Sequence, residues 1–172
     1  MNAFELLGIT PQAAIDEATL KQAYFTIAKT ARDNAELHAA YQTLLYPEKR
    51  LKHLLEITAP PNASNWRTVP IQEELMQLFL LLGKESKTAE TLITKKSNTS
   101  SALGRALLEK QLLAQRDALE GIGFQLEDHK QSLVTKLHLL EGEWQSLAMI
   151  QAQLSYISKW QTQVAELLLK LI

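Results

Sequence analysis

All five prolines fall at or before position 70, so from residue 71 to the end the chain contains none. Proline inside a helix removes a hydrogen bond and clashes with the preceding turn, and a stretch this long without one leaves helices free to run on. Leucines use that freedom. From Ser101 onward Leu108, Leu112, Leu119, Ile122, Leu126, Leu133, Leu137 and Leu140 share one stripe, interrupted by Gln115 and His129, with Gly121 and Gly123 as expected bends. A final helix carries Leu147, Ile150, Leu154, Ile157, Val164, Leu168 and Leu171 at three- and four-residue spacing, with Gln161 the polar exception. Such stripes must be buried against neighbours. With a further helix over 70–94, an antiparallel three-helix bundle is the simplest solution.

Ahead of the bundle the helices are shorter and their ends are marked. Asp16 is placed to accept from free N–H groups at a helix start, with Ile15 and Leu20 as the two halves of a hydrophobic staple. Leu20, Ala23, Tyr24, Ile27, Ala28 and Ala31 then share one face, the core side of an antiparallel hairpin. Pro47 suits the first turn of another helix, which carries Leu51, Leu54 and Leu55. The small and polar run Thr58 to Asn65, with Pro60 and Pro61, reads as a linker. The expected organisation is all-α: a domain over 1–57, a linker over 58–69 and a three-helix bundle over 70–172. A lesser break at Lys95 to Ser101 separates two helices of that bundle.

Composition excludes several function classes. A net charge of −1 without a basic block lacks the footprint that drives nucleic-acid affinity, so no nucleic-acid partner is expected. No apolar run approaches the roughly 20 residues that span a bilayer, and no secretory signal opens the chain, so no membrane partner and a cytoplasmic location are expected. Absence of cysteine rules out disulfides and thiolate metal ligation. His38, His53, His129 and His138 show no His-x-x-x-His spacing, and the single His138/Glu141 pair lacks the second copy that a dimetal bundle needs. His129 reads as a core histidine. Neither a phosphate loop nor a nucleophile elbow is present, so no metal, no cofactor and no enzyme activity are expected.

Four ordered segments carry a resemblance. Phe4 to Ile9, Leu20 to Tyr24, Ala40 to Leu44 and Pro47 to Arg50 resemble the four helices of a J domain, the module of DnaJ-type co-chaperones. The bundle narrows the likeness: Glu74-Leu75-Met76, and Trp144 followed by Tyr156, resemble segments of the HscB co-chaperones of iron–sulfur cluster assembly. The resemblance implies a J-like domain joined to a three-helix bundle, a DnaK-type chaperone as partner of the former and a cluster scaffold as partner of the latter. The chain departs from the family where J domains carry His-Pro-Asp. It holds no His-Pro pair, and the position reads Arg32-Asp33-Asn34 within a shortened connection, since only sixteen residues separate Tyr24 from Tyr41. By resemblance Lys21, Phe25, Lys29 and Arg32 would face the chaperone, though an ordinary solvated face is the favoured reading of the charges. Docking without stimulation, or a purely bracing role, is what the loss implies.

The other unusual stretch is Leu75 to Leu82, apolar at seven of eight positions. One helix face cannot bury all of it, so part should meet the other domain, a second copy or a different protein. By resemblance Leu75, Met76, Phe79 and, on the last helix, Tyr156 form the partner-binding set, while Leu80 and Gly83 stand where the family often has glutamates. Trp144, Tyr156 and Trp160 share a flank of the last helix with Ala148 and Ala152, a pattern typical of bundle packing. The expected function is an HscB-like binding protein that holds a protein client or iron–sulfur scaffold and does not stimulate a DnaK-type ATPase. The alternative is a structural helical module that forms a homo-oligomer through 75–82.

Overall fold

The computed structural model describes residues 1–30, 34–58, 60 and 70–172. Among these, regular structure is helical throughout: α1 (Ala3–Leu6), α2 (Glu17–Ala28), α3 (Ala35–Leu45), α4 (Pro47–Thr58), α5 (Glu73–Asn98), α6 (Ala102–Val134), a 3-10 turn (Leu137–Leu139) and α7 (Trp144–Lys170). The all-α fold class stands. Ala31, Arg32, Asp33 and most of the expected linker, Ala59 and Pro61 to Val69, lie outside the described residues.

The short helices are set by their caps. Asn2 and Glu5 bond each other's backbone N–H at the start of α1 in a capping box. Gly8, at φ +62, ends it. Its N–H donates to Glu5 O at 3.1 Å and that of Ile9 to Phe4 O at 2.9 Å, the two bonds of a Schellman motif. Asp16 caps α2 through Thr19 N at 2.9 Å, and Asn34 caps α3 through Leu37 N at 3.1 Å. The latter gives Asn34, expected by resemblance at the His-Pro-Asp position, a structural role. Pro47 opens α4, whose Leu51, Leu54 and Leu55 are all buried.

Two compact units emerge. The first joins residues 1–70 to 132–155, and the second joins 71–131 to 156–172. Residues 132–155, expected with the bundle, therefore pack with the N-terminal helices: Leu137, Leu147, Ile150 and Leu154 share a core with Phe4, Leu20, Leu44 and Leu51. Trp144 packs against the same core. The expected continuation of the α6 stripe through Leu137 and Leu140 fails because α6 stops at Val134 and gives way to the 3-10 turn. Gly142, at φ +83, completes the reversal into α7.

Within the first unit, Arg50 is buried at 4% exposure. Its Nε donates to Ala13 O at 2.9 Å and its Nη1 to Leu44 O at 2.7 Å. Burial pushes the guanidinium pKa down to about 10, against the opposing pull of Glu48 and Glu141, so it stays charged at neutral pH. Glu141 grips the same loop from another element: its Oε1 accepts from Ala13 N at 2.7 Å and Ala14 N at 3.1 Å. The expected helical His138/Glu141 pair is thus corrected, since His138 sits in the 3-10 turn and Glu141 beyond it.

In the second unit the three helices run up, down and up. Gln115 Nε2 of α6 donates to Glu85 O at 3.0 Å and to Glu85 Oε2 at 2.9 Å on α5. Gln161 Nε2 of α7 donates to Glu127 Oε2 at 2.7 Å, and Gln163 Nε2 to Ser86 Oγ at 2.9 Å. Rising numbers on α5 meet falling ones on α6 and rising ones on α7, as an antiparallel bundle requires. Gln115 and Gln161, the polar exceptions in the stripes, are the interhelical links. The helix α5 runs to Asn98, past the expected end at 94, with Lys95 and Lys96 in a last turn where cations favour the helix dipole. On α7 it is Leu167 that is buried and Leu168 that is partly exposed, and His129 is partly exposed instead of core.

Candidate partner-binding surface

Spacing along the first turns of α5 decides which leucines go in. Leu75, Leu78 and Leu82 are three and four residues apart and are all buried, so they form the inward stripe. Leu75 therefore belongs to the core and does not reach the surface. Met76, Phe79 and Leu80 cover an adjoining flank of roughly 100°, and are 39%, 45% and 64% exposed. Leu81, 38% exposed, lies on the opposite flank. Gly83 falls within the apolar flank, and a Cβ there would meet nothing within 4 Å.

A row of rings carries the flank onto α7. Phe79 stacks on Trp160 at 5.3 Å between centroids, and Trp160 stacks on Tyr156 at 5.9 Å. Trp160 is buried and Tyr156 partly exposed, so the indole is the fixed middle of the row. The structure thus brings together Phe79 and Tyr156 through a residue that sequence reasoning placed only in the packing. The signal was available, since Tyr156 and Trp160 are four residues apart on one helix face. What spacing could not supply was the register of α5 against α7.

The surface is apolar in character, and the residue that follows Trp160, Gln161, makes a polar contact between α7 and α6. Glu127 accepts from Gln131 and Gln161, each at 2.7 Å. The bond from Gln131, ahead of the opposing cost of burial, that from Gln161 and the nearby Lys130 lower its carboxyl pKa. Among the described residues no group of three potential ligand side chains could hold a metal ion. No helix there is long and apolar enough to cross a membrane.

On the N-terminal unit, Lys21, Phe25 and Lys29 lie one turn apart along the exposed side of α2, with Phe25 54% exposed. Its ring meets the edge of Tyr24 at 5.5 Å, and Tyr24 packs inward on Tyr41 at 4.5 Å. Arg32, expected on this face, and Asp33, expected with it at the His-Pro-Asp position, lie outside the described residues.

No family model and no curated protein matches the sequence. Among solved structures, the chaperone HscB from Vibrio cholerae matches over 100% of both chains, with 19% identity and a TM-score of 0.57. Likeness at that identity is a likeness of fold.

Proposed function

We propose that this chain is an HscB-like, co-chaperone-related binding protein of the cytoplasm that captures a protein client or iron–sulfur scaffold on the flank of its bundle. The observation that carries the reading is the apolar row Met76, Leu80, Phe79, Trp160 and Tyr156, exposed at its α5 end and joined by stacked rings from Phe79 to Tyr156. Aromatic and methionine side chains are enriched at the centres of protein interfaces. The absence of His-Pro-Asp from the sequence supports a J-like unit that docks on a DnaK-type chaperone through Lys21, Phe25 and Lys29, or only braces the bundle, without triggering hydrolysis. Leu80 and Gly83 make the flank less acidic than the family pattern, so apolar complementarity dominates over charge.

Titration of the host's iron–sulfur scaffold into the purified chain, with Phe79→Glu as the control, tests the reading together with a DnaK-type ATPase assay. Saturable binding that weakens roughly a hundredfold in the variant is expected, as is an unchanged ATPase rate. Binding unaffected by the variant would remove the flank from the account. Stimulated hydrolysis would refute the loss of J activity. The exposure of Met76, Phe79, Leu80 and Leu81 also favours a second reading, self-association through 75–82, under which Phe79→Glu dissolves an oligomer and no scaffold binds.

A further inference from the structure

A second apolar surface runs along the outward face of α6. Leu103, Leu107, Leu113 and Phe124 are 74%, 66%, 58% and 72% exposed. At about 100° per residue they fall in a sector of about 120°, together with the small and polar residues between them. Part of this face has an internal symmetry about the point between Leu113 and Ala114, which are each other's counterparts, while Leu107 has Glu120 as its counterpart. Leu103 is matched by Phe124, Ala106 by Gly121, and Lys110 by Asp117 at equal distances on either side.

We infer that α6 is an isologous docking surface for a second copy of this chain, two α6 helices packing antiparallel about a two-fold axis through that point. In such a pair every matched residue meets its counterpart. Leu103 packs on the partner's Phe124, small Ala106 faces Gly121 where the backbones approach, and Lys110 meets the carboxylate of Asp117, each contact occurring twice. Lys110 and Asp117 are about 10 Å apart along their own helix and do not pair with each other. Neither has an ion-pair partner among the described residues. Gly121 is compatible with the pairing: a Cβ there would meet nothing within 4 Å of its own chain, so the backbone on that face is open to the approach of an opposing helix.

Sedimentation of the whole chain and two kinds of variant test the inference. Wild type is expected to be a dimer at micromolar concentration. Lys110→Asp and Asp117→Lys each place like charges opposite one another twice, and each should raise the dissociation constant roughly tenfold or more. Mixing the two variants makes both contacts attractive and should restore dimers as heterodimers, which no loss of folding could imitate. Because the chain has no cysteine, single cysteines report geometry cleanly. Ala114→Cys, at an exposed position beside the axis, should cross-link to itself, whereas Leu103→Cys should cross-link only when mixed with Phe124→Cys. A monomer at all concentrations would overturn the inference. So would a dimer that ignores the charge reversals and dissociates with Phe79→Glu, which would assign self-association to α5.

Discussion

The N-terminal unit buries a guanidinium between two carbonyls. Arg50 bonds Ala13 O and Leu44 O, and so ties the α1–α2 loop to the end of α3. Arg50→Met keeps most of the apolar stem but leaves both oxygens without a donor, which should lower unfolding free energy by about 2–4 kcal/mol. Arg50→Lys should recover little, because an ammonium cannot reproduce the fork that spans the two acceptors. Urea unfolding of the three proteins checks both statements, and a loss under about 0.5 kcal/mol for the methionine variant would contradict them. Sequence reading gave Arg50 only as the end of a J-like segment. A charge inside a core is invisible to periodicity, because its acceptors come from residues 6 and 37 positions away.

At the level of single elements, helix starts were the most legible feature and helix ends the least. Asp16 and Pro47 announce α2 and α4 because capping and fixed φ are properties of one residue and its immediate neighbours. The end of α6 was hidden because the leucine spacing continues through 133, 137 and 140 after the helical hydrogen bonds have stopped. Leu137 is buried all the same, so the stripe recorded burial correctly and conformation wrongly. Gly8 shows an end that was legible, and its positive φ makes it testable. Gly8→Ala adds a Cβ that meets no neighbour, so its cost should be that of the backbone alone, about 1 kcal/mol. A thermal melt should show this as a lower Tm without loss of helical content, and an unchanged Tm would argue against the left-handed cap.

For the molecule as a whole, the sequence revealed the helices and much of the apolar flank on α5, but not which stretches of chain fold together. The break at 58–69 invites a division into 1–57 and 70–172, yet the first compact unit also needs 132–155. A fragment of residues 1–70 lacks Leu137, Leu147, Ile150 and Leu154, all of which are buried against it in the full chain. Removing four large side chains from one core exceeds what a small domain's stability can absorb. The fragment is therefore expected to show weak helicity and no cooperative melt, and a sharp transition would mean that its helices suffice alone. Linear proximity predicts partners inside a hairpin, but not the return of a distant segment.

That return has a consequence for how such a protein could be recombined. The chain passes between units at 70/71, 131/132 and 155/156, and the last two crossings fall inside α6 and α7. Neither unit is a cassette. A chimera made by one crossover in the apparent linker would leave the second unit whole but give the first a foreign piece of core, residues 132–155, so exchanging a whole unit with a relative calls for three splices, two of them kept in helical phase.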